Sequence, residues 1–246
     1  MIVNESTLHS FDIEFEQENT ISNEDVMNKV IIFKRSVQVL RKLNNYIKRI
    51  MDIAGAIVGI ILLVPLICVV KIFNLINKDD GPLFYTQERI GLNGKKFNLF
   101  KFRTMCINSQ EILEKILSED EDRRKEWEEN RKFKDDPRVT KIGKILRKTS
   151  LDEFPQFINV ALGDMSLVGP RPVIDGEIDK FGIHKDEVLA VKPGVTGYWA
   201  ANGRSETSYE ERVEMETYYA RNNSVVLDIK ILFKTIISVL KKEGAV

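Results

Sequence analysis

Residues 53–70 read IAGAIVGIILLVPLICVV, an uninterrupted run without a charged side chain. As a helix, roughly 18 residues cover about 27 Å, barely the thickness of a hydrocarbon core. Pro65 falls inside the run. It removes one backbone donor and crowds the carbonyl of Ile61, so a kink or break in the helix is expected there. Lys48 and Arg49 stand before the run, with Asp52 at its edge, and Lys71 and Lys78 follow it. A simple span would put one basic flank on the outside, against the positive-inside tendency. A kinked helix that enters and leaves on the same face accommodates both flanks, and this re-entrant form is the expectation. A plain span is its rival, and a buried core helix is the third reading.

The rest of the chain divides around this segment. Residues 1–25 are acid-rich and polar, without the basic and apolar regions of a signal peptide, and read as a flexible arm. Residues 26–78 hold an amphipathic helix and then the membrane helix. In the first of these Val26, Val30, Phe33, Val37, Leu40 and Ile47 recur at helical spacing among lysines and arginines. Such a helix suits an anionic membrane surface, and equally suits packing on its own domain. Residues 79–246 read as a soluble domain, so the expected fold is mixed α/β (α+β) and mostly helical. Segments 83–90 and 95–105 flank Asn93-Gly94, a tight β-hairpin signal. Residues 108–132 are highly charged and suggest exposed helix. Further helices are expected near 141–148, from about Leu151, and at 225–242 as an amphipathic C-terminal helix.

Composition excludes several chemistries. The formal net charge is zero, so no global basic field recruits nucleic acid. Cys68, Cys106, His9 and His184 are the only cysteines and histidines, and they are scattered. No disulfide framework, zinc spacing or histidine-based triad follows from them. Neither GxxxxGK[ST] nor GxGxxG occurs, so carboxylates, arginines and a hard metal are left to grip a phosphorylated ligand.

Three places carry such groups. Ser150-Leu151-Asp152-Glu153-Phe154-Pro155 matches a capping box, with Asp152 as an alternative cap. The same carboxylates at a helix start could serve as a phosphorus nucleophile and a divalent-metal ligand. In Gly169-Pro170-Arg171-Pro172 two prolines stiffen the backbone around one guanidinium, which suits phosphate and also suits an ordinary surface turn. Alternation in LFKFRTM places Lys101 and Arg103 opposite Phe100 and Phe102. Arg138, Lys141, Lys144, Arg147 and Lys148 add positive charge before the acidic pair.

Taken together, Lys48-Arg49…Asp52, the Pro-interrupted helix, 81–105, 136–172, KPGVTG (192–197) and NGR (202–204) resemble the bacterial monotopic polyprenyl-phosphate phosphoglycosyl transferases. The resemblance implies that Asp152 attacks the β-phosphate of a UDP-sugar, releasing UMP. Polyprenyl (undecaprenyl) phosphate then takes the sugar phosphate from the aspartate, beginning a surface glycan such as capsule, exopolysaccharide, O-antigen or glycoprotein glycan. It further implies Glu153 as a Mg²⁺ ligand, Lys101, Arg147 and Arg171 as phosphate-binding residues with Arg103 a weaker candidate, and Pro65 as the break in a re-entrant helix. The implied location is the cytoplasmic face of a bacterial inner membrane, with membrane lipids, a homodimer and downstream glycosyltransferases as further partners. A catalytically silent scaffold of glycan assembly is the alternative. The chain departs from the family in having Val64 where a serine usually precedes the proline, and Glu216 and Asn223 where Asp and Trp are frequent. Asp228 is expected to serve packing or capping, and residues 1–45 read as an extension particular to this chain.

Overall fold

The computed structural model describes residues 23–130, 132–203 and 207–241. Most of the acidic arm, and Arg204 of the NGR string, lie outside these. Helix α1 runs from Asn23 to Ile76. Residues 1–47 and 48–246 form two separate units. Within the first, α1 exposes Ile32, Val39, Leu43 and Tyr46.

In the second unit, α1 has an inward face inside its uncharged run. Asp52, Ala56, Leu63, Val70 and Asn74 are buried, at helical spacings of four and seven. Gly59 belongs to the same stripe, and a Cβ there would collide with the Phe157 ring. The opposite face stays apolar and exposed through Ile57, Ile61, Val64 and Ile72. The segment Gln38–Ile76 is long and apolar enough to cross a membrane. Helix α1 continues through Pro65, so the proline does not end it. Proline removes one hydrogen bond and leaves the rest of the ladder in place. In an apolar segment the backbone has no alternative partners, so it stays helical.

Polar side chains at the start of this segment hold it in the domain. Asp52 Oδ1 accepts the Ser166 hydroxyl at 2.8 Å and the Leu167 N–H at 2.9 Å. Lys48 donates to the Val168 carbonyl at 2.9 Å and pairs with buried Asp228, which also bonds the Tyr219 hydroxyl. Arg49 donates to the carbonyls of Val160 and Ala161. Lys48 and Arg49 are therefore domain anchors rather than a free basic flank, and the packing role expected of Asp228 is the one seen. At the far end, Arg103 pairs with Asp79 at 2.7 Å and donates to the Pro82 carbonyl.

Strands β1 (Phe84–Ile90) and β2 (Lys96–Phe102) form the expected antiparallel hairpin, in register from Phe84↔Phe102 to Ile90↔Lys96. Asn93 and Gly94 both take positive φ in its turn, at 55° and 78°. Each face of the hairpin meets a different core. Phe97 and Leu99 pack with Val160, Met165 and Tyr219. Phe102 packs with Leu63 and Val70 of α1, together with Ile142 and Leu146. The charged stretch forms two helices, α2 (Ser109–Glu119) and α3 (Glu121–Asn130). Next come α4 (Lys141–Lys148) and α5 (Gln156–Leu162). Strand β3 (Ser166–Val168) pairs in parallel with β4 (Gly194–Thr196). The backbones approach so closely here that a Cβ on Gly169 or Gly194 would strike the facing chain. Helices α6 (Lys185–Leu189), α7 (Tyr198–Asn202), α8 (Tyr209–Asn222) and α9 (Val225–Lys241) complete the domain. The outcome is the expected mostly helical α/β fold, with two small sheets.

Helix α9 buries Asp228 and Ile231 while exposing Val226, Ile229, Phe233, Ile236 and Ile237. Together with the outer face of α1, this leaves two unusually apolar helical surfaces facing outward.

Because Phe157 lies against Gly59, Gly59→Leu should push the ring out and lower stability by about 1–3 kcal/mol, the usual range for overpacking. Ile61→Leu, on the exposed face, should change little. Thermal unfolding of the two variants in detergent checks this; equal melting temperatures would contradict the close packing.

Candidate functional site

The acidic pair is delivered by a short turn between α4 and α5. Thr140 caps α4 by accepting the Gly143 N–H at 3.0 Å, and Ile142 and Leu146 fix its inner face. The chain then reverses through Ser150, in the left-handed region at φ 56°, into a 3₁₀ turn over Leu151–Glu153. The predicted capping box does not form. Ser150 makes no side-chain cap, α5 starts at Gln156 with Pro155 at its N-cap, and no side chain caps it. The left-handed backbone at Ser150 turns the chain there, so its hydroxyl does not cap the turn that carries the carboxylates. Buried Asn159 registers α5 on the hairpin, accepting from the Phe100 N–H at 3.0 Å and donating to the Asn98 carbonyl at 2.7 Å.

This geometry brings Lys101 to Glu153, with 2.7 Å between Nζ and Oε1. Arg147 projects from the last turn of α4 and is steadied by Nε donating to the Thr104 hydroxyl at 3.0 Å. Asp152 is half-buried. Burial first, and then the charge of Glu153, push its carboxyl above the usual range, while Lys101 and Arg147 pull it back. Four of the sequence candidates therefore share one electrostatic site.

Arg103 falls past the end of β2, where strand alternation no longer applies. It turns back to Asp79, Pro82 and Met105, so its guanidinium is committed to the exit of α1. Arg138 is buried against Trp127 and Phe133 and forked onto Asp136, and so adds no free charge beside the pair. Lys144 reaches Asp135. Of the basic run before the pair, Arg147 is the member that acts on Asp152.

Arg171 follows β3 and is exposed. Its guanidinium lies 5.9 Å from the Trp199 ring. A residue that motif reading passed over connects it to the acids. Arg89 on β1 feels the charges of both Arg171 and Glu153. It donates to the Pro172 carbonyl at 3.1 Å and to Gln87 at 2.7 Å, while its buried Nε has no partner among the described residues. Its place in a two-stranded hairpin, facing the Pro-Arg-Pro segment, was not readable from strand periodicity. A Lys/Arg at every such position fits a solvated face equally well.

A second unforeseen residue is Glu216, 1% exposed. Oε1 accepts the Arg171 backbone N–H at 2.9 Å, and Oε2 has no partner among the described residues. Glu216 thus fixes the backbone that presents Arg171, a role that gives this departure from the family pattern a structural meaning.

The donor chemistry available for Mg²⁺ is a pair of adjacent, partly exposed carboxylates. Among the described residues no group of three or more His, Cys, Asp and Glu converges, so an all-protein cage is absent there. Mg²⁺ commonly takes only one or two carboxylates and fills its remaining positions with phosphate oxygens and water. The pair fits that use.

Burial pushes the Glu216 carboxyl from 4.5 up to about 7, against the pull of the Arg171 N–H and of Arg212. The folded state therefore favours the protonated acid. The stability this contributes is complete below the unfolded value of 4.5 and is lost as pH rises through about 7. The melting temperature of the protein should fall across that window, and Glu216→Gln, which retains the acceptor without the titration, should flatten the fall. Melting curves across the window provide the check; an unchanged slope in the variant would assign the effect elsewhere.

Comparison with known proteins places this arrangement in context. The model of the family described as "Bacterial sugar transferase" matches residues 43–242. A UDP-galactose-lipid carrier transferase of Erwinia amylovora is 47% identical over 221 residues, 87% of this chain and 46% of that protein. The undecaprenyl-phosphate galactose phosphotransferase of Salmonella typhimurium is 42% identical, again covering 87% of this chain and 46% of the relative. The chain thus spans about half the length of these relatives. It matches the exopolysaccharide production protein ExoY of Rhizobium meliloti nearly end to end, with 40% identity over 206 residues, 84% of this chain and 91% of the relative. By the extent of both kinds of match, the chain belongs to the bacterial sugar transferase family.

Proposed function

We propose that the protein transfers a sugar 1-phosphate from a UDP-sugar to polyprenyl phosphate, with Asp152 as the nucleophile. The observation that carries this reading is the placement of Asp152. Its carboxylate is half-buried, adjoins Glu153, and is acted on by Lys101 and Arg147. Relatives named as a UDP-galactose-lipid carrier transferase and an undecaprenyl-phosphate galactose phosphotransferase favour the same donor and acceptor classes.

In the proposed reaction a carboxylate oxygen of Asp152 bonds to the β-phosphorus of the donor. The bond from that phosphorus to the bridging oxygen breaks, and UMP leaves with the electron pair. An oxygen of the acceptor phosphate then attacks the same phosphorus. The acyl phosphate bond breaks, regenerating the Asp152 carboxylate and giving polyprenyl diphospho-sugar. Lys101 and Arg147 lower the repulsion between the anionic nucleophile and the anionic diphosphate. Arg171, with its backbone fixed by Glu216 and its charge coupled to Arg89, holds a phosphate further along the donor. Mg²⁺ held by Glu153 would supply neutralisation of diphosphate charge. No histidine base is required, since nucleophile and acceptor are already anions.

Purified protein incubated with UDP-sugar labelled in the β-phosphate should become labelled and release UMP before any acceptor is added. Asp152→Asn should lose both signals, with turnover falling by at least about a thousandfold, as expected when a covalent nucleophile is removed. Unaltered turnover in a folded Asp152→Asn variant would leave the silent-scaffold reading in its place.

We further propose that α1 is re-entrant, at the cytoplasmic face of a bacterial inner membrane. The support is that both ends of the apolar segment are tied to one domain, through Lys48 and Asp52 at one end and Asp79 at the other. A span would carry one of these anchors away from its partner. Single cysteines at position 5 and at Lys148 should therefore react with a membrane-impermeant reagent from the same side of sealed vesicles. Labelling from opposite sides would establish a span.

A further inference from the structure

Alongside the buried face of α1 runs a groove of about 430 Å³. Met51, Gly55 and Val58 form one wall, and Phe154, Phe157 and Leu232 form the other. The remaining lining is also glycine, alanine or leucine, so no side chain in it can hold a headgroup or an ordered water. Gly55 and Gly59 make the groove by bringing the helix close to Leu167 and Phe157, where a Cβ would not fit. Val58 and Leu62 on its rim are exposed, as are their neighbours Ile57 and Ile61.

One end of the groove adjoins the chemistry. Phe154 is the residue directly after Glu153, and its ring meets Phe157 edge-on at 5.4 Å. The apolar lining thus reaches the residue that follows the acidic pair, on the side where an acceptor joined to Asp152 through its phosphate would bring its hydrocarbon chain. We propose that this groove seats the isoprenoid units of polyprenyl phosphate nearest to its phosphate. The inference rests on the phosphosugar-transfer reading and adds where the acceptor is held. The groove is too small for a whole polyprenyl chain, so it takes only the units nearest the phosphate. The remainder of a long chain extends past Val58 and Leu62 into lipid. An ordinary phospholipid acyl chain has the same apolarity, but its headgroup makes no demand to be at Asp152; continuity with the carboxylate pair favours the acceptor.

The test uses the full-length protein in vesicles of phosphatidylglycerol and phosphatidylethanolamine, with a polyprenyl phosphate carrying a diazirine on its first isoprene unit. Irradiation should label peptides within 51–62 or 154–167, and unlabelled undecaprenyl phosphate should compete while added phosphatidylglycerol should not. Val58→Trp, which fills the groove from its rim, should raise the KM for undecaprenyl phosphate about tenfold. Ile61→Trp, equally exposed but outside the groove, should match the wild type. Labelling confined to other peptides, equal competition by phosphatidylglycerol, or an unchanged KM in a folded Val58→Trp variant would each overturn the groove assignment while leaving transfer intact. A wild-type protein that releases no UMP and transfers no sugar phosphate would instead overturn the parent reading, and the groove with it.

Discussion

The structure depends on a buried polar joint between the apolar helix and the domain. Asp52, only 2% exposed, satisfies a hydroxyl and a backbone N–H of β3, and Lys48 neutralises Asp228 from α9. Isolated charges this deep are strongly unfavourable, so each constrains the position of its partner. Lys48 and Asp52 lie one helical turn apart, which fixes the rotation of α1 about its axis as well as its depth. That rotation turns Gly59, Leu63 and Val70 inward and leaves Ile57, Ile61 and Ile72 to the lipid.

From this joint the geometry of the candidate site follows by contact. Leu63 and Val70 share a core with Phe102 and Leu146, and Leu151 and Phe154 pack against it. The turn bearing Asp152 therefore rests on the same side chains that dock the helix. Lys101 on β2, Arg147 on α4 and the acidic pair between α4 and α5 arrive from three different elements. Their mutual placement is set by Phe102, Leu146 and the two hydrogen bonds of Asn159.

Much of this was legible before any coordinates. The uncharged run announced the long apolar helix, Asn93-Gly94 announced the hairpin, and α4 and α9 fell within a residue or two of their expected spans. The acidic pair looked locally like a helix cap, and it was the family resemblance that set it apart together with Lys101 and Arg147. What escaped were long-range roles. Lys48 and Arg49 look like a membrane flank because their partners lie more than a hundred residues away. Arg138 looks like an available cation because its fork onto Asp136 and its aromatic cage depend on Trp127 and Phe133 folding back. The parallel β3–β4 pair is only three residues long on each side, too short for periodicity to register. Glu216 appeared as a departure from a pattern, and its function resides in one hydrogen bond to a backbone atom that no side-chain motif records.

The shared core beneath the acidic turn limits how the chain can be divided. Cutting away α1 would lay bare Phe102, Leu146 and the inner side of Phe157, and would strand Asp228 without its counter-ion. The apolar helix and the acidic turn are therefore not modules joined by a hinge. Trimming away α1 is therefore expected to unfold the domain rather than to release it.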